Sequence, residues 1–281
     1  MNITRFAPSP TGRLHLGHAY SAVLGRAAAK ENGGRFLLRI EDLDQTRSRP
    51  EFVDGIYEDL LWLNVDWDQP VLVQSQRSIE YEAALDELKS QGLAYACFCT
   101  RADIAAALEA PHGKTAHYPG TCRALPDDPE RRASTPHCWR LDSVKALDIA
   151  GFPSWTEWDG NFFTTGPEDF EDVILARKDT PAAYHLACVV DDAASGVTLV
   201  TRGADLRGST PTQRLLQRLL GLAEPTYLHH QLVTHADGRR LAKRDLAPTL
   251  AAMREAGVDG RALAADLLAG KLPLGFAFAS A

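Results

Sequence analysis

Two histidines three positions apart, His15 and His18, flank Gly17 in the stretch Pro8-Ser9-Pro10-Thr11-Gly12-Arg13-Leu14-His15-Leu16-Gly17-His18. Pro and Gly punctuate its first half and apolar residues at helical spacing follow, so the pair opens a helix. A helix start offers unpaired N–H groups and partial positive charge, which suit a phosphate. Imidazoles there can donate hydrogen bonds to phosphoryl oxygens whose charge grows in a transition state. Gly17 removes a Cβ where an adenine ring would approach. The plainer alternative is a helix start with two surface histidines, because short motifs match by chance. Further along, Gly238-Arg239-Arg240-Leu241-Ala242-Lys243-Arg244-Asp245 holds four cations in six residues. Such a loop can close over a triphosphate and neutralise a leaving pyrophosphate; a solvated basic loop is the alternative.

Other groups fit an amino acid with two carboxylates. Arg5 stands near the end of an apolar run, and its planar fork can take a carboxylate in two hydrogen bonds. Arg202 ends a later run and Glu41 an earlier one, where it can meet an ammonium. Tyr184 can supply a hydroxyl. Salt bridges and a core tyrosine are the alternatives, since ion pairs also occupy strand ends. A third cluster is soft: Cys97-Phe98-Cys99, then Tyr118 and Cys122, with residues 100–117 between Cys99 and Tyr118. Three thiolates and one further donor would close a tetrahedral zinc site in a segment with little apolar content. On chemistry alone Tyr118, His117, His112 and Cys138 compete for the fourth place, and unliganded cysteines remain the alternative.

The elements around these groups read as α/β. Residues 3–7 form a short strand. Leu16, Tyr20, Val23, Leu24 and Ala27 have helical spacing, which Gly33-Gly34 stops. FLLRI is a strand ending at Glu41, and Phe52, Ile56, Leu60 and Leu63 mark a second helix. This alternation predicts a parallel sheet with ligands outside the carboxyl ends of its strands, where Arg5–His18 and Glu41–Arg47 fall. From about Ala94 the pattern changes to what reads as an insertion rather than sheet. Regular signals return near Phe170: HLACVV and VTLVTR read as strands, and GSTPTQRLLQRLLGL as a helix with a Ser/Thr cap and early Pro. One or two short helices and a loose end follow Asp245. The expected division is 1–93 and 170–245 for two halves of a catalytic domain, 94–169 for the insertion, and 246–281 for a short helical tail. No internal repeat or low-complexity segment occurs.

The chain of 281 residues carries 30 Lys+Arg against 37 Asp+Glu, a formal charge of −7, so it lacks the footprint of an indiscriminate DNA or RNA coat. A specific RNA partner would rest on a local patch and on shape. There is no signal-like opening and no spanning apolar run, so no membrane role is expected. Five cysteines, an odd count with Cys97 and Cys99 too close to bridge comfortably, fit a reducing, cytoplasmic setting.

HLGH after the first strand and RLAKR after the last one resemble the two signatures of class I aminoacyl-tRNA synthetases. The wider blocks, RFAPSPTGRLHLGHA, RIEDLDQTR, LACVVDDAASGVTLVTRGADL and STPTQ, are similar to the glutamyl-tRNA synthetase subgroup over roughly residues 3–245. Arg240 and Ala242 depart from that subgroup's Lys and Ser, while Lys243 matches its second Lys. The resemblance implies a Rossmann-like catalytic domain with a zinc-binding insertion. It implies that Arg5, Ala7, Ser9, Glu41, Tyr184 and Arg202 surround glutamate. It places His15, Gly17, His18 and Lys243 at ATP, with His15, His18 and Lys243 acting in catalysis and Mg²⁺ accompanying the nucleotide. Only about 36 residues follow Asp245, short for an anticodon-binding domain. That shortness and the pattern C-x-C…Y-x-x-x-C make the chain similar to the truncated glutamyl-queuosine tRNA(Asp) synthetases, and favour Tyr118 as fourth ligand of one structural Zn²⁺. The expected reaction is ATP-dependent formation of glutamyl-adenylate and transfer to queuosine at the wobble position of tRNA(Asp). A truncated synthetase charging a 3′ end and a non-catalytic nucleotide- or RNA-binding paralogue are the alternatives.

Overall fold

The computed structural model describes residues 1–31, 33–100, 102–104, 118–241 and 248–279. The first strand, β1 (Ile3–Phe6), is followed by helix α1 (Leu16–Lys30), whose Leu16, Ala19, Ala22 and Val23 lie buried. β2 (Arg35–Ile40), α2 (Pro50–Trp62), β3 (Asp68–Val73) and α3 (Ser78–Ser90) repeat the alternation. β1 pairs with β2, and β2 with β3, all parallel, as expected of strands joined through helices. The turn into β2 needs glycine: a Cβ on Gly34 would lie 1.8 Å from the Asn2 carbonyl oxygen.

From Ala94 the chain departs from the sequence reading. β4 (Ala94–Cys97) pairs antiparallel with β5 (Cys138–Leu141), which pairs antiparallel with β8 (Ile174–Arg177), so this region does contain a sheet. Between them β6 (Ser154–Thr156) and β7 (Phe162–Thr164) form a hairpin. The run HLACVV is not a strand. It opens the helix Tyr184–Ala194, whose Leu186, Ala187, Cys188, Val189, Asp191 and Asp192 are buried. A six-residue apolar run cannot distinguish a strand from a buried helix, and here the helix extends through the polar DDAA that follows.

β9 (Leu199–Gly203) and β10 (Thr226–His230) form a second parallel pair. β9 lies beside β1: the Thr198 N–H donates to the Ile3 carbonyl at 2.9 Å, and the Ile3 N–H to Thr198 Oγ1 at 2.9 Å. β1 therefore has β2 on one side and β9 on the other, which makes the carboxyl end of β1 a topological switch point. The helix Thr210–Leu219, with Pro211 in its first turn, connects β9 to β10; its Ser209 makes no side-chain cap bond.

The end of the chain is less loose than its composition suggests. β12 (Phe276–Phe278) pairs antiparallel with β11 (Val233–His235). Leu250, Leu263 and Leu267, from the two helices after the basic loop, are buried in the same core as α1 and α2. Each such side chain contributes about 2 kcal/mol by its removal from water. Among the described residues no helix is long and apolar enough to cross a membrane.

Candidate active site

Arg5, Ala7, Ser9, His15, Gly17, His18, Glu41, Tyr184 and Arg202 all line one cleft of about 630 Å³ at the carboxyl ends of β1, β2 and β9. His15 caps α1: its Nδ1 accepts the Gly17 N–H at 3.1 Å, and His18 Nδ1 accepts the His15 N–H at 3.1 Å. The two rings are 3.8 Å apart. Since both Nδ1 atoms accept, each neutral ring carries its proton on Nε2, the donor edge that a phosphoryl oxygen would meet. A Cβ on Gly17 would stand 3.1 Å from His15 Cε1, so glycine here leaves room for the His15 ring.

Lys243 lies outside the described residues, with its neighbours 242–247. The residues flanking that segment are informative. Arg240 bridges to Thr234, and both Arg240 and Leu241 line the cleft. Thr249 bridges to His15, and the Leu250 N–H donates to the Leu14 carbonyl at 2.9 Å.

The amino-acid side of the cleft is built on buried charge. Arg5 Nε donates to Asp192 Oδ1 at 2.9 Å, and its terminal nitrogens to Asp192 Oδ2 at 3.3 Å and the Thr201 carbonyl at 3.0 Å. Arg39 also binds Asp192, and reaches Glu41 Oε1 at 3.0 Å. Cys188 sits among them, 3.5 Å from Arg39 Nη2. Burial alone would push Asp192 up, but Arg39 and Arg5 hold it well below the usual carboxylate range. Burial raises Glu41, with Arg39 opposing, so an incoming ammonium would favour its ionised form. Tyr184, 37 % exposed, stands at the rim, and desolvation pushes its phenol up.

Arg202 differs from Arg5 in its partners. It is 4 % exposed. Nε donates to His229 Nε2 at 3.0 Å, Nη1 to Gln213 Oε1 at 2.7 Å and Nη2 to Thr210 Oγ1 at 2.7 Å. None of these acceptors is anionic, and among the described residues Arg202 makes no ion pair. Of the five N–H groups of a guanidinium, these three are used, which leaves one on each terminal nitrogen. A buried cation held only by neutral groups could receive an anion, because desolvation without a counter-charge is costly.

A separate cluster gathers Cys97, Cys99 and Cys122, whose sulfurs lie within 4.8 Å of one another. The Cys99 and Cys122 sulfurs are 3.5 Å apart, and the Tyr118 hydroxyl lies 3.3 Å from Cys97 Sγ and 3.6 Å from Cys99 Sγ. Tetrahedral zinc with thiolates at about 2.3 Å separates its ligand atoms by roughly 3.5–3.8 Å, so the donor set fits the ion in type and spacing. Cys138, the cross-strand neighbour of Cys97, is not part of the sulfur group. His112 and His117 lie outside the described residues.

Asp192, Arg39, Cys188, Gln213, Thr210, His229 and Glu157 are not among the site residues expected from the sequence. For Cys188 and Asp192 a signal existed. Read as a helix, Tyr184, Cys188 and Asp192 recur every four residues on one face. Arg39 and Asp192 are 153 positions apart and Glu157 and His229 72, while Thr210 and Gln213 reach Arg202 across the turn after β9.

Fold and cleft together are those of a class I aminoacyl-tRNA synthetase catalytic domain. Residues 2–268 match the family described as tRNA synthetases class I (E and Q), catalytic domain. The chain is 45 % identical to a glutamyl-Q tRNA(Asp) synthetase of Rhodobacter capsulatus, covering 91 % of this chain and 95 % of that protein. It is 49 % identical to one of Nocardia farcinica, over 90 % of this chain and 79 % of that protein. A solved glutamate tRNA ligase from Elizabethkingia meningosepticum, in complex with its amino acid, superposes with a TM-score of 0.80 at 27 % identity, over 95 % of this chain and 60 % of that one. The chain thus spans 60 % of the length of that ligase. It belongs to the class I synthetase family of the glutamate and glutamine enzymes, in its glutamyl-Q tRNA(Asp) synthetase branch, and is a ligase.

Proposed function

We propose that the chain activates glutamate with ATP and transfers the glutamyl group to queuosine at the wobble position of tRNA(Asp). The observation that carries the glutamate half is Arg202, a buried guanidinium whose described partners are all neutral, in the cleft that holds His15 and His18. The α-carboxylate must stay available as nucleophile, so the Arg202 fork takes the side-chain carboxylate. A glutamine amide there would leave the cation unpaired and lose several kcal/mol. Glu41 receives the ammonium, Tyr184 and Arg5 close the pocket, and the backbone at Ala7 and Ser9 lines its path to the nucleotide.

An α-carboxylate oxygen attacks the α-phosphorus of ATP, and the bond to the bridging oxygen of pyrophosphate breaks. Nε2–H groups of His15 and His18 donate to the phosphoryl oxygens as their charge grows. Gly17 leaves room for the His15 ring, and Lys243 neutralises the leaving pyrophosphate. Mg²⁺, bound with ATP, supplies further neutralisation of the phosphates. A hydroxyl of the queuosine cyclopentene ring then attacks the acyl carbon and AMP leaves. Cys97, Cys99, Tyr118 and Cys122 would hold one Zn²⁺ that organises the region around β4, away from the chemistry.

The queuosine acceptor rests on the names of the relatives. The test is [¹⁴C]glutamate transfer to synthetic anticodon stem-loops of tRNA(Asp). The loop with queuosine should be labelled and the loop with guanine should not, since it lacks the cyclopentene hydroxyls. Labelling of the guanine loop, or of the 3′ end of intact tRNA(Glu), would overturn this acceptor and favour an enzyme that charges a 3′ end. Absence of glutamate-dependent ATP–pyrophosphate exchange would overturn the activation step itself.

A further inference from the structure

Arg202 is itself held by a relay that begins in the β6–β7 hairpin. Glu157, immediately after β6, is 6 % exposed and lies against β10: it bridges to Tyr227, and the Trp158 N–H donates to the Tyr227 carbonyl at 2.7 Å. Its carboxylate is locked by three donors at normal distance. Oε1 lies 2.6 Å from His229 Nδ1 and accepts the Trp155 indole N–H at 3.1 Å; Oε2 accepts the His229 backbone N–H at 3.2 Å. Arg207 Nε stands 3.8 Å from Oε1. The His229 side chain has no exposed surface, and its ring stacks on Tyr227 with centroids 5.7 Å apart.

Two groups face His229 Nε2: Arg202 Nε, and the Thr210 hydroxyl 3.3 Å away, which itself accepts from Arg202 Nη2. Arg202 Nε can only donate, so His229 Nε2 must offer its lone pair. The ring is then neutral with its proton on Nδ1, and that proton goes to Glu157. A proton on Nε2 instead would set two donors face to face, and an imidazolium would add like charge against the guanidinium. We propose that Glu157 and His229 are positioning residues for Arg202. Glu157 fixes His229 as the Nδ1–H tautomer, and the bare Nε2 receives the Arg202 Nε–H. This sets the plane of the guanidinium, so that the N–H groups left on its terminal nitrogens meet the substrate carboxylate. The inference rests on the reading of Arg202 as the glutamate receptor. It adds that the receptor's aim is imposed from a hairpin outside the parallel strands, through a histidine that must stay neutral.

The relay predicts a graded effect that depends on hydrogen-bond type. Glutamate-dependent ATP–pyrophosphate exchange is measured for wild type, Arg202→Gln, His229→Leu, His229→Gln and Glu157→Gln. His229→Leu removes the acceptor and should raise KM for glutamate about 10- to 100-fold, with KM for ATP within threefold. His229→Gln places an amide oxygen where Nε2 stood and should recover most of that loss. Glu157→Gln can donate to Nδ1 and so favours the wrong tautomer; it should raise KM for glutamate by about tenfold while the melting temperature stays within a few degrees. His229→Gln as damaging as His229→Leu, or Glu157→Gln without effect on glutamate KM, would overturn the relay, because a packing role is blind to the direction of a hydrogen bond. The two glutamine variants keep the test decisive should His229→Leu fail to fold. If Arg202→Gln itself leaves glutamate KM unchanged, the receptor reading fails; if it raises KM while the Glu157 and His229 variants do not, only the relay fails.

Discussion

Replacing Arg202 by Gln removes one charge from the cleft and keeps an amide able to bond with Gln213 and Thr210. In the wild type the guanidinium is 4 % exposed and has no described anionic partner. The substrate carboxylate would therefore be its counter-ion and would accept the two N–H groups that the protein leaves over. Deleting one member of a buried, hydrogen-bonded ion pair costs about 3–5 kcal/mol, which is roughly two to three and a half orders of magnitude in an equilibrium constant. The loss should fall on glutamate KM, since the side-chain carboxylate is held alike in the ground state and at the transition state. ATP–pyrophosphate exchange over a glutamate titration measures it, with ATP saturating. Glutamine provides the second arm. Its neutral amide fits an uncharged pocket better than a charged one, so the ratio of kcat/KM for glutamate over glutamine should fall by at least tenfold in the variant. A glutamate KM within threefold of wild type, together with an unchanged ratio, would refute the argument that an uncompensated buried cation defines the substrate.

His15→Ala or His18→Ala should slow exchange by about one to three orders of magnitude, the scale of losing one transition-state donor, with little change in glutamate KM; rates within twofold of wild type would remove both rings from the chemistry. Protein prepared without chelator should contain about one zinc per chain by elemental analysis; Cys97→Ser and Cys122→Ser should lose it and destabilise the region around β4, and Tyr118→Phe should release the ion faster to a chelator. Stability should fall on acidification in part through His185, which burial and then Arg202 push down to about 4, with Glu171 opposing. The unfolded ring keeps its ordinary value near 6.5, so between these values the unfolded chain binds more protons. The contribution is complete above about pH 6.5 and is lost as pH falls toward 4, amounting to roughly 1–2 kcal/mol by pH 5. Unfolding free energies from urea titrations at pH 7 and pH 5 should converge by that amount in His185→Gln, and equal pH dependence in variant and wild type would contradict it.

The cleft was legible where function follows local rules. A strand end, a punctuated loop and a helix start put His15, Gly17 and His18 together in sequence, and the same elements hold them together in space. Arg5, Glu41 and Arg202 were legible as strand ends. Their partners were not. Asp192 was hidden because HLACVV reads equally as a strand, and a strand would send Cys188 and Asp192 to other neighbours than a helix does. Arg39 lay inside a buried strand, where a charge carries no signal until its counter-charge on the Tyr184–Ala194 helix is known. Glu157 and His229 are 72 positions apart, and no periodicity links them. The pairing of β12 with β11 was equally out of reach, because strand partners are chosen by tertiary packing.

The position of β1 between β2 and β9 also orders events during synthesis. Arg5 is made well before its partners: the carboxylate that neutralises it lies 187 positions later, and the carbonyl it binds 196 positions later. At roughly 5–20 residues per second, the ribosome needs on the order of 10–40 s to supply them. During that interval β1 can find β2 but not β9, and the Arg5 cation has no carboxylate to be buried with. The β1 segment therefore depends for its burial on its distant half. Its open edge is where a stalled or slowly translated chain would be captured by chaperones or by other strands.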